Sequence, residues 1–269
     1  MGEAMRSGIN KKMPWLKFGL IGVFLFFAVL IFKGTLHYFS GESKVAVPKT
    51  PMSQHVKVPE RVFRGDLTGK KLVALTFDDG PSRETTPRLL DILKEKAAVA
   101  TFFELGMRAD GEPDITKRIF EEGHEVGSHT MGHRNLVELP DGDIEWEIKE
   151  AESTLERLLG HKVPLTRVPY GNTNEKVREV TGTPLVYWSV DTKDWESKDS
   201  GKVVEETMRS VSDGAIVLYH DIYPSTVDAI PAVIDELRGQ GYEFVTVSEL
   251  SELRGVEMKK GETYSKFEP

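Results

Sequence analysis

Leu72-Val73-Ala74-Leu75-Thr76-Phe77-Asp78-Asp79-Gly80-Pro81 begins as a nearly unbroken apolar run, the pattern of a strand buried on both faces. It ends in two adjacent carboxylates and a Gly-Pro turn signal. A buried carboxylate is costly unless it is paired or bound to a cation, and two side by side repel each other as well. Either Asp78 and Asp79 open a solvated turn, or they end a core strand with a cation beside them.

Working outward, apolar runs alternate with helical ones. Residues 72–77, 99–105, 124–128, 165–169, 185–190, 215–219 and 242–247 read as strands. Residues 87–96, 113–122, 141–159, 202–211 and 226–238 read as helices. The longest of these carries Ile144, Ile148, Ala151, Leu155 and Leu158 at helical spacing, with Gly160 as its stop. Strands alternating with helices imply a parallel sheet or a (β/α) barrel. A span of about 190 residues is short for eight repeats. The expectation is an α/β fold, a distorted (β/α) barrel with about seven parallel strands, over residues 61–256. Residues 257–269 read as a charged, frayed tail.

The chain has 269 residues and a formal net charge of −8. No basic stripe points to a nucleic-acid partner. It has no cysteine, so any metal must be held by His, Asp or Glu. Residues 1–14 carry Arg6, Lys11 and Lys12, and residues 18–32 hold no charge between Lys17 and Lys33. Terminal lysines snorkel, so 15–33 approaches the roughly 20 residues that span a bilayer. One N-terminal transmembrane helix is expected at 15–33, with 1–14 cytoplasmic and the domain outside the cell membrane. A cleaved signal peptide is the competing reading, but 33–43 offers no small-x-small cleavage site. Residues 34–60, with Pro48, Pro51 and Pro59, read as an extracytoplasmic tether.

In α/β barrels, functional groups sit on the loops after the strands. Those positions here hold Asp78 and Asp79, His129 and His133, Arg167 and Tyr170, Asp191, Asp194 and Trp195, and Leu218 and His220. His129 and His133 are four apart, so one helical turn would put both imidazoles on one face. Set against the Asp-Asp strand end, two His and one Asp give three protein ligands and leave a position for water, the layout of a catalytic zinc site. Arg167 pairs with a surface acid or holds one aspartate ionised. Trp195 is core or the wall of a carbohydrate site. His220 is a core histidine or, with Asp194 on the neighbouring strand, an oriented acid.

Taken together, Thr76-Phe77-Asp78-Asp79-Gly80, His129-x-x-x-His133, Arg167-x-Pro169-Tyr170, Asp191-x-x-Asp194-Trp195 and Leu218-x-His220 resemble the five motifs of the NodB-like polysaccharide deacetylases, carbohydrate esterase family 4. They occur in the family's order across roughly residues 72–250. The resemblance implies a distorted (β/α) barrel and a divalent metal, zinc or in some members cobalt, on Asp79, His129 and His133. It implies that Asp78 is the general base and that Arg167 steadies it. Tyr170 would offer its backbone N–H to the oxyanion, and Asp194 would tune His220, the general acid. Leu218 and Trp195 would shape the acetyl pocket. His220-Asp221-Ile222-Tyr223-Pro224 further resembles the peptidoglycan N-acetylglucosamine deacetylases, although many of those have His where Tyr223 stands.

The expected activity is therefore removal of acetyl groups from N-acetylglucosamine in a cell-wall glycan, with a polysaccharide and the membrane as partners. A deacetylase of chitin oligomers or O-acetyl xylan would use the same residues. A metal-free glycosidase would need two acids about 5–9.5 Å apart and would have no use for His129 and His133. A non-catalytic wall-binding module would need only the aromatic wall.

Overall fold

The computed structural model describes residues 67–269. The expected cytoplasmic stretch 1–14, transmembrane helix 15–33 and tether 34–60 lie outside the described residues. Among the described residues, no helix is long and apolar enough to cross a membrane. In chain order the elements are β1 (Lys71–Asp78), α1 (Thr86–Glu95), β2 (Thr101–Glu104), α2 (Gly106–Gly111), α3 (Pro113–Glu121), β3 (Glu125–Ser128), α4 (Asp141–Leu159), α5 (Glu175–Val180), β4 (Leu185–Val186), β5 (Val190–Asp191), α6 (Asp194–Ser197), α7 (Ser200–Ser210), β6 (Ala215–His220), α8 (Pro224–Gly239), β7 (Tyr242–Phe244), α9 (Val247–Leu253) and β8 (Thr263–Tyr264).

β1 is the hub, and every pairing it makes is parallel. One edge pairs with β6 from Val73 to Asp78. The other edge is shared, with β7 beside Lys71 to Val73 and β2 beside Thr76 to Asp78. The ladder continues from β2 to β3, then through single bridges from Ser128 to Thr166 and from Thr166 to Leu185, and from β4 to β8. Lys266, just past β8, bridges back to Ala215 at the start of β6. The pairings thus run round an irregular ring, in line with the expected distorted barrel.

The pleat of β1 sorts its side chains. Leu72 and Ala74 face the ring interior with Phe103, Leu165, Val186, Ile216 and Phe267. Val73, Leu75 and Phe77 face the helices, against Leu89, Leu90 and Leu93 of α1 and Ile230, Val233 and Ile234 of α8. Both sets are buried, which is why the strand reads as a continuous apolar run. The same alternation carries Thr76 and Asp78 into the upper end of the ring.

Several expectations need correction. Residues 165–169 form no strand: Thr166 makes the only bridges, and a 3-10 turn follows at Pro169–Gly171. Residues 185–190 divide into β4 and β5, leaving Trp188 between them. Short helices α2, α5, α6 and α9 were not anticipated, because none spans enough turns to show a periodic stripe. The tail 257–269 is not frayed: β8 lies within it, and Phe267 is 2% exposed. The Phe267 carbonyl lies so close to Gly214 that any side chain there would collide with it. The apolar anchors of this tail are too widely spaced among charges to register as a pattern.

Candidate active site at the ends of the strands

Asp78 reaches the cavity by the regular alternation of β1. It meets Arg167, which is fully buried. The guanidinium donates to Asp78 Oδ1 at 2.7 Å, Thr76 Oγ1 at 2.8 Å, Tyr187 O at 3.0 Å and Val186 O at 3.1 Å. Its face lies 4.2 Å from the centre of the Phe103 ring. Burial pulls the Arg167 pKa down and the Asp78 carboxylate opposes this. A buried pair of this kind loses about 3–5 kcal/mol when one member is removed. Arg167 therefore does pair with the aspartate rather than with a surface acid.

Asp79 would point outward, in phase with Phe77, if the strand continued. Instead its φ is 72°, and the chain turns the side chain back toward the cavity. Two adjacent carboxylates thus share one cavity. His129 Nε2 and His133 Nε2 lie 3.4 and 3.3 Å from Asp79 Oδ1. The ligand atoms of Asp79, His129 and His133 lie within 4.8 Å of one another. Asp79 Oδ1 is buried and has no hydrogen-bond partner. Burial would raise the Asp79 pKa, but the nearby His129 and His133 outweigh it and hold the carboxyl well below the usual range. Burial and the charge of His129 lower His133, favouring a neutral imidazole.

The histidines do not sit on a helical turn as their spacing suggested. They occupy a loop after β3 in which Thr130 and His133 have φ of 71° and 60°. His129 Nδ1 lies 2.7 Å from the Arg167 carbonyl. A carbonyl only accepts, so Nδ1 carries a proton and Nε2 faces Asp79. Burial lowers the His129 pKa, but the charges of Asp78 and Asp79 override it and raise it, so a cation bound there would displace the Nε2 proton. The buried Glu147 of α4 secures the rest of the loop: its Oε2 accepts from Gly132 N at 2.7 Å and its carbonyl from Met131 N at 2.9 Å. A buried carboxylate oxygen without a hydrogen-bond partner, facing two imidazole Nε2 atoms, suits a divalent cation, and the donor set suits zinc.

On the strand paired with β1, His220 ends β6 in register with Asp78. Asp194 is fully buried at the start of α6 and accepts four hydrogen bonds. His220 Nδ1 and Trp195 N donate to Oδ1, both at 2.8 Å. His220 N and Thr226 Oγ1 donate to Oδ2 at 2.7 and 2.8 Å. Nδ1 is thereby occupied and Nε2 faces the cavity. Burial lowers the His220 pKa, but the hydrogen bond and charge of Asp194 override it and raise it to about 9.

The cavity, about 400 Å³, is lined by Asp78, Asp79, His129, His133, Tyr170, Leu218, His220 and Trp195, every predicted position except the buried Arg167 and Asp194 that orient its members. Val168, Trp188, Asp191 and Tyr223 complete the lining. Tyr170 has φ of 60° and stacks edge-on against His133, 4.8 Å between ring centres. Trp188 had no motif to mark it, and Glu147 and Thr226 act from helices far along the chain. Seven non-glycine residues have positive φ among the described residues, and Asp79, Thr130, His133, Tyr170, Lys193 and Lys198 all lie in the loops around this cavity.

The chain resembles known proteins in sequence and in fold. Residues 65–183 match the family model described as polysaccharide deacetylase, a span that includes the Asp79, His129 and His133 cluster and stops short of Asp194 and His220. A Listeria monocytogenes peptidoglycan-N-acetylglucosamine deacetylase is 40% identical over 205 residues, covering 76% of this chain and 43% of its own. The chain thus spans less than half the length of that relative. A Bacillus cereus peptidoglycan-N-acetylglucosamine deacetylase is 38% identical over 190 residues, covering 67% of this chain and 88% of its own. A family 4 acetyl xylan esterase from Clostridium thermocellum, solved with a cobalt ion, superposes with a TM-score of 0.70 at 31% identity, over 73% of this chain and 98% of its own.

Proposed function

This chain belongs to the polysaccharide deacetylase family, and we propose that it hydrolyses the acetamide of N-acetylglucosamine units in peptidoglycan, releasing acetate. The observation that carries this reading is the convergence of two proton-handling devices and one cation site on a single cavity. Asp78 is fixed by Arg167. His220 is fixed by Asp194. The Asp79, His129 and His133 cluster opens onto the same cavity.

Zinc is the proposed cation on Asp79, His129 and His133, with cobalt as a functional substitute. When bound, it supplies Lewis-acid polarisation of the acetamide carbonyl and a water of lowered pKa. The chain's own groups do the rest. Asp78 accepts the proton of the attacking water. The Tyr170 N–H, on a rim residue with left-handed backbone, would donate to the oxygen that gains charge. His220 gives its Nε2 proton to the departing nitrogen, so water and amide become acetate and amine. Trp195 and Leu218 hold the acetyl group, and Trp188 adds a further aromatic surface at the cleft.

A glycosidase would leave His129 and His133 without a task, and a binding module would leave the buried Asp194–His220 couple without one. Deacetylation of chitin oligomers or O-acetyl xylan remains the second reading, supported by the likeness to the acetyl xylan esterase. We place the catalytic domain outside the cell membrane, anchored by residues 15–33. A reporter fused after Pro269 should then be extracellular, and the mature protein should keep its N-terminus. Acetate release from N-acetylated peptidoglycan fragments, measured with and without chelator, tests the activity. Full activity after chelation would overturn the metal, and no acetate from any of these glycans would overturn the reaction.

A further inference from the structure

Arg108, on α2 beside the cavity's rim, is exposed. Among the described residues, Arg108 is the one arginine whose guanidinium makes no hydrogen bond or ion pair. Each of the others holds an acid, a carbonyl or a hydroxyl. Acids outnumber bases in this chain, 43 to 35, so a spare guanidinium is not for want of carboxylates.

Arg108 lines a surface groove with Pro81, Ser82, Arg83 and Glu112, and this groove starts at the turn directly after Asp79. The groove's own acids are engaged. Glu112 pairs with Arg83 at 2.8 Å, and Glu84 accepts from Ser82 Oγ at 3.1 Å. A second cation stands at the same end of the cavity: Lys198 Nζ lies 5.5 Å from the centre of the Tyr223 ring. Tyr223 lines the cavity and packs on His220, with 5.9 Å between ring centres. The groove adjoins the Tyr223 end through Gly80, which precedes Pro81 and packs so closely on the Asp221 carboxylate that a Cβ would collide with it; Asp221 stands two residues before Tyr223. In line with this, the charge of Arg108 opposes the burial that raises the pKa of the Tyr223 phenol and the Asp221 carboxyl.

We propose that Arg108, assisted by Lys198, binds a carboxylate on the sugar unit next to the one being deacetylated, at the Tyr223 end of the cleft. A guanidinium takes a carboxylate through two parallel hydrogen bonds, which a neutral glycan cannot supply. The ligand is thus an acidic amino-sugar neighbour, bearing either a free lactyl ether carboxylate or the carboxylates of a peptide stem. This inference rests on the peptidoglycan reading and gives a net-negative protein a local foothold on an anionic polymer.

The test uses the full chain, Arg108→Gln and Arg108→Lys on three oligosaccharides of equal length: a neutral chitin oligomer, a stem-free alternating N-acetylglucosamine–N-acetylmuramic acid oligomer, and its stem-bearing form. Arg108→Gln should raise KM about tenfold on one or both acidic substrates and less than twofold on the neutral one, with kcat little changed. Arg108→Lys should recover part of the loss. The acidic substrate that responds identifies the carboxylate, and the wild-type preference for it should shrink with added salt. Equal effects on acidic and neutral substrates, or no effect on either, would overturn the proposal. If the wild type released acetate from none of them, the peptidoglycan reading would fail instead. Calorimetric binding of the same oligosaccharides to wild type and Arg108→Gln would then decide the role of Arg108 alone.

Discussion

Replacing Asp194 with Asn keeps the size of the side chain and removes its charge, and two effects follow from the geometry. The carboxylate accepts from Trp195 N and His220 Nδ1 on one oxygen, and from His220 N and Thr226 Oγ1 on the other. An amide must put its NH2 in one of these places. Whichever it takes, a backbone N–H, of Trp195 or of His220, meets a donor. A buried group left unsatisfied costs about 1–3 kcal/mol. In a domain of this size that lowers Tm by about 2–12 °C. The second effect falls on His220. Burial lowers its pKa, yet Asp194 above all, with the charges of Asp78 and Asp79, lifts it from 6.5 to about 9. At about 1.4 kcal/mol per tenfold change in proton affinity, that rise corresponds to about 3 kcal/mol in favour of the imidazolium. With Asn, burial is opposed only by the charges of Asp78 and Asp79, so His220 should lose its proton at a pH lower by about 2 or more. The sign for stability follows. His220 stabilises the wild-type fold fully below its unfolded pKa of about 6.5, and this contribution fades as pH rises through about 9. The variant should lose that decline. The assay is an NMR titration of the His220 ring in both proteins at the same metal occupancy, with calorimetry from about pH 6 to 10 and pH–activity profiles. Activity should be bell-shaped, with its alkaline limb displaced to lower pH in the variant. An unchanged His220 titration, or an unmoved alkaline limb, would refute the reasoning.

Asp79→Ala should lose bound metal, whereas Asp78→Asn should keep it and lose about 10²–10⁴-fold in kcat; equal metal content in the two variants, read by elemental analysis, would count against this division. Glu147→Ala frees Gly132 N and should weaken metal affinity by about 10–100-fold, as measured by competition with a chelator. Phe267→Ala should cost about 3–5 kcal/mol in urea unfolding, because the ring lies in the barrel interior; a wild-type midpoint would mean that the tail is not part of the core.

The strands that were legible in the sequence were those buried on both faces. β1 and β6 show as apolar runs because helices cover one side and the ring interior fills the other. The strand expected at 165–169 misled because Leu165 and Val168 are buried while only Thr166 pairs, so burial there does not mark a ladder. At the site, residue types announced themselves and backbone did not. The spacing of His129 and His133 suits a helix, but the shared cavity depends on left-handed backbone at Asp79, Thr130, His133 and Tyr170, residue types that do not signal it. Glu147 was hidden for a different reason: a charged residue on a helix ordinarily faces water, and only the tertiary fold turns this one onto Gly132 N. Trp188 was missed because it follows the end of a two-residue strand instead of standing inside a motif.

The left-handed residues around the cavity bear on how a sturdier form of this protein could be made. Each costs of order 1–3 kcal/mol. Glycine or asparagine at Asp79, His133 or Tyr170 relaxes the backbone, so a screen for heat resistance alone would favour such substitutions. At Asp79 and His133 they would delete the side chains proposed to hold the cation. One such residue lies elsewhere: Ala97, at φ 46°, follows the end of α1, where Ala98 N bonds to Leu93 O. That is the position where helices ordinarily end in glycine. Ala97→Gly should therefore raise stability by up to about 1 kcal/mol with turnover unchanged. Durability and catalysis are separable here, provided selection is directed at the connection after α1 and kept off the rim.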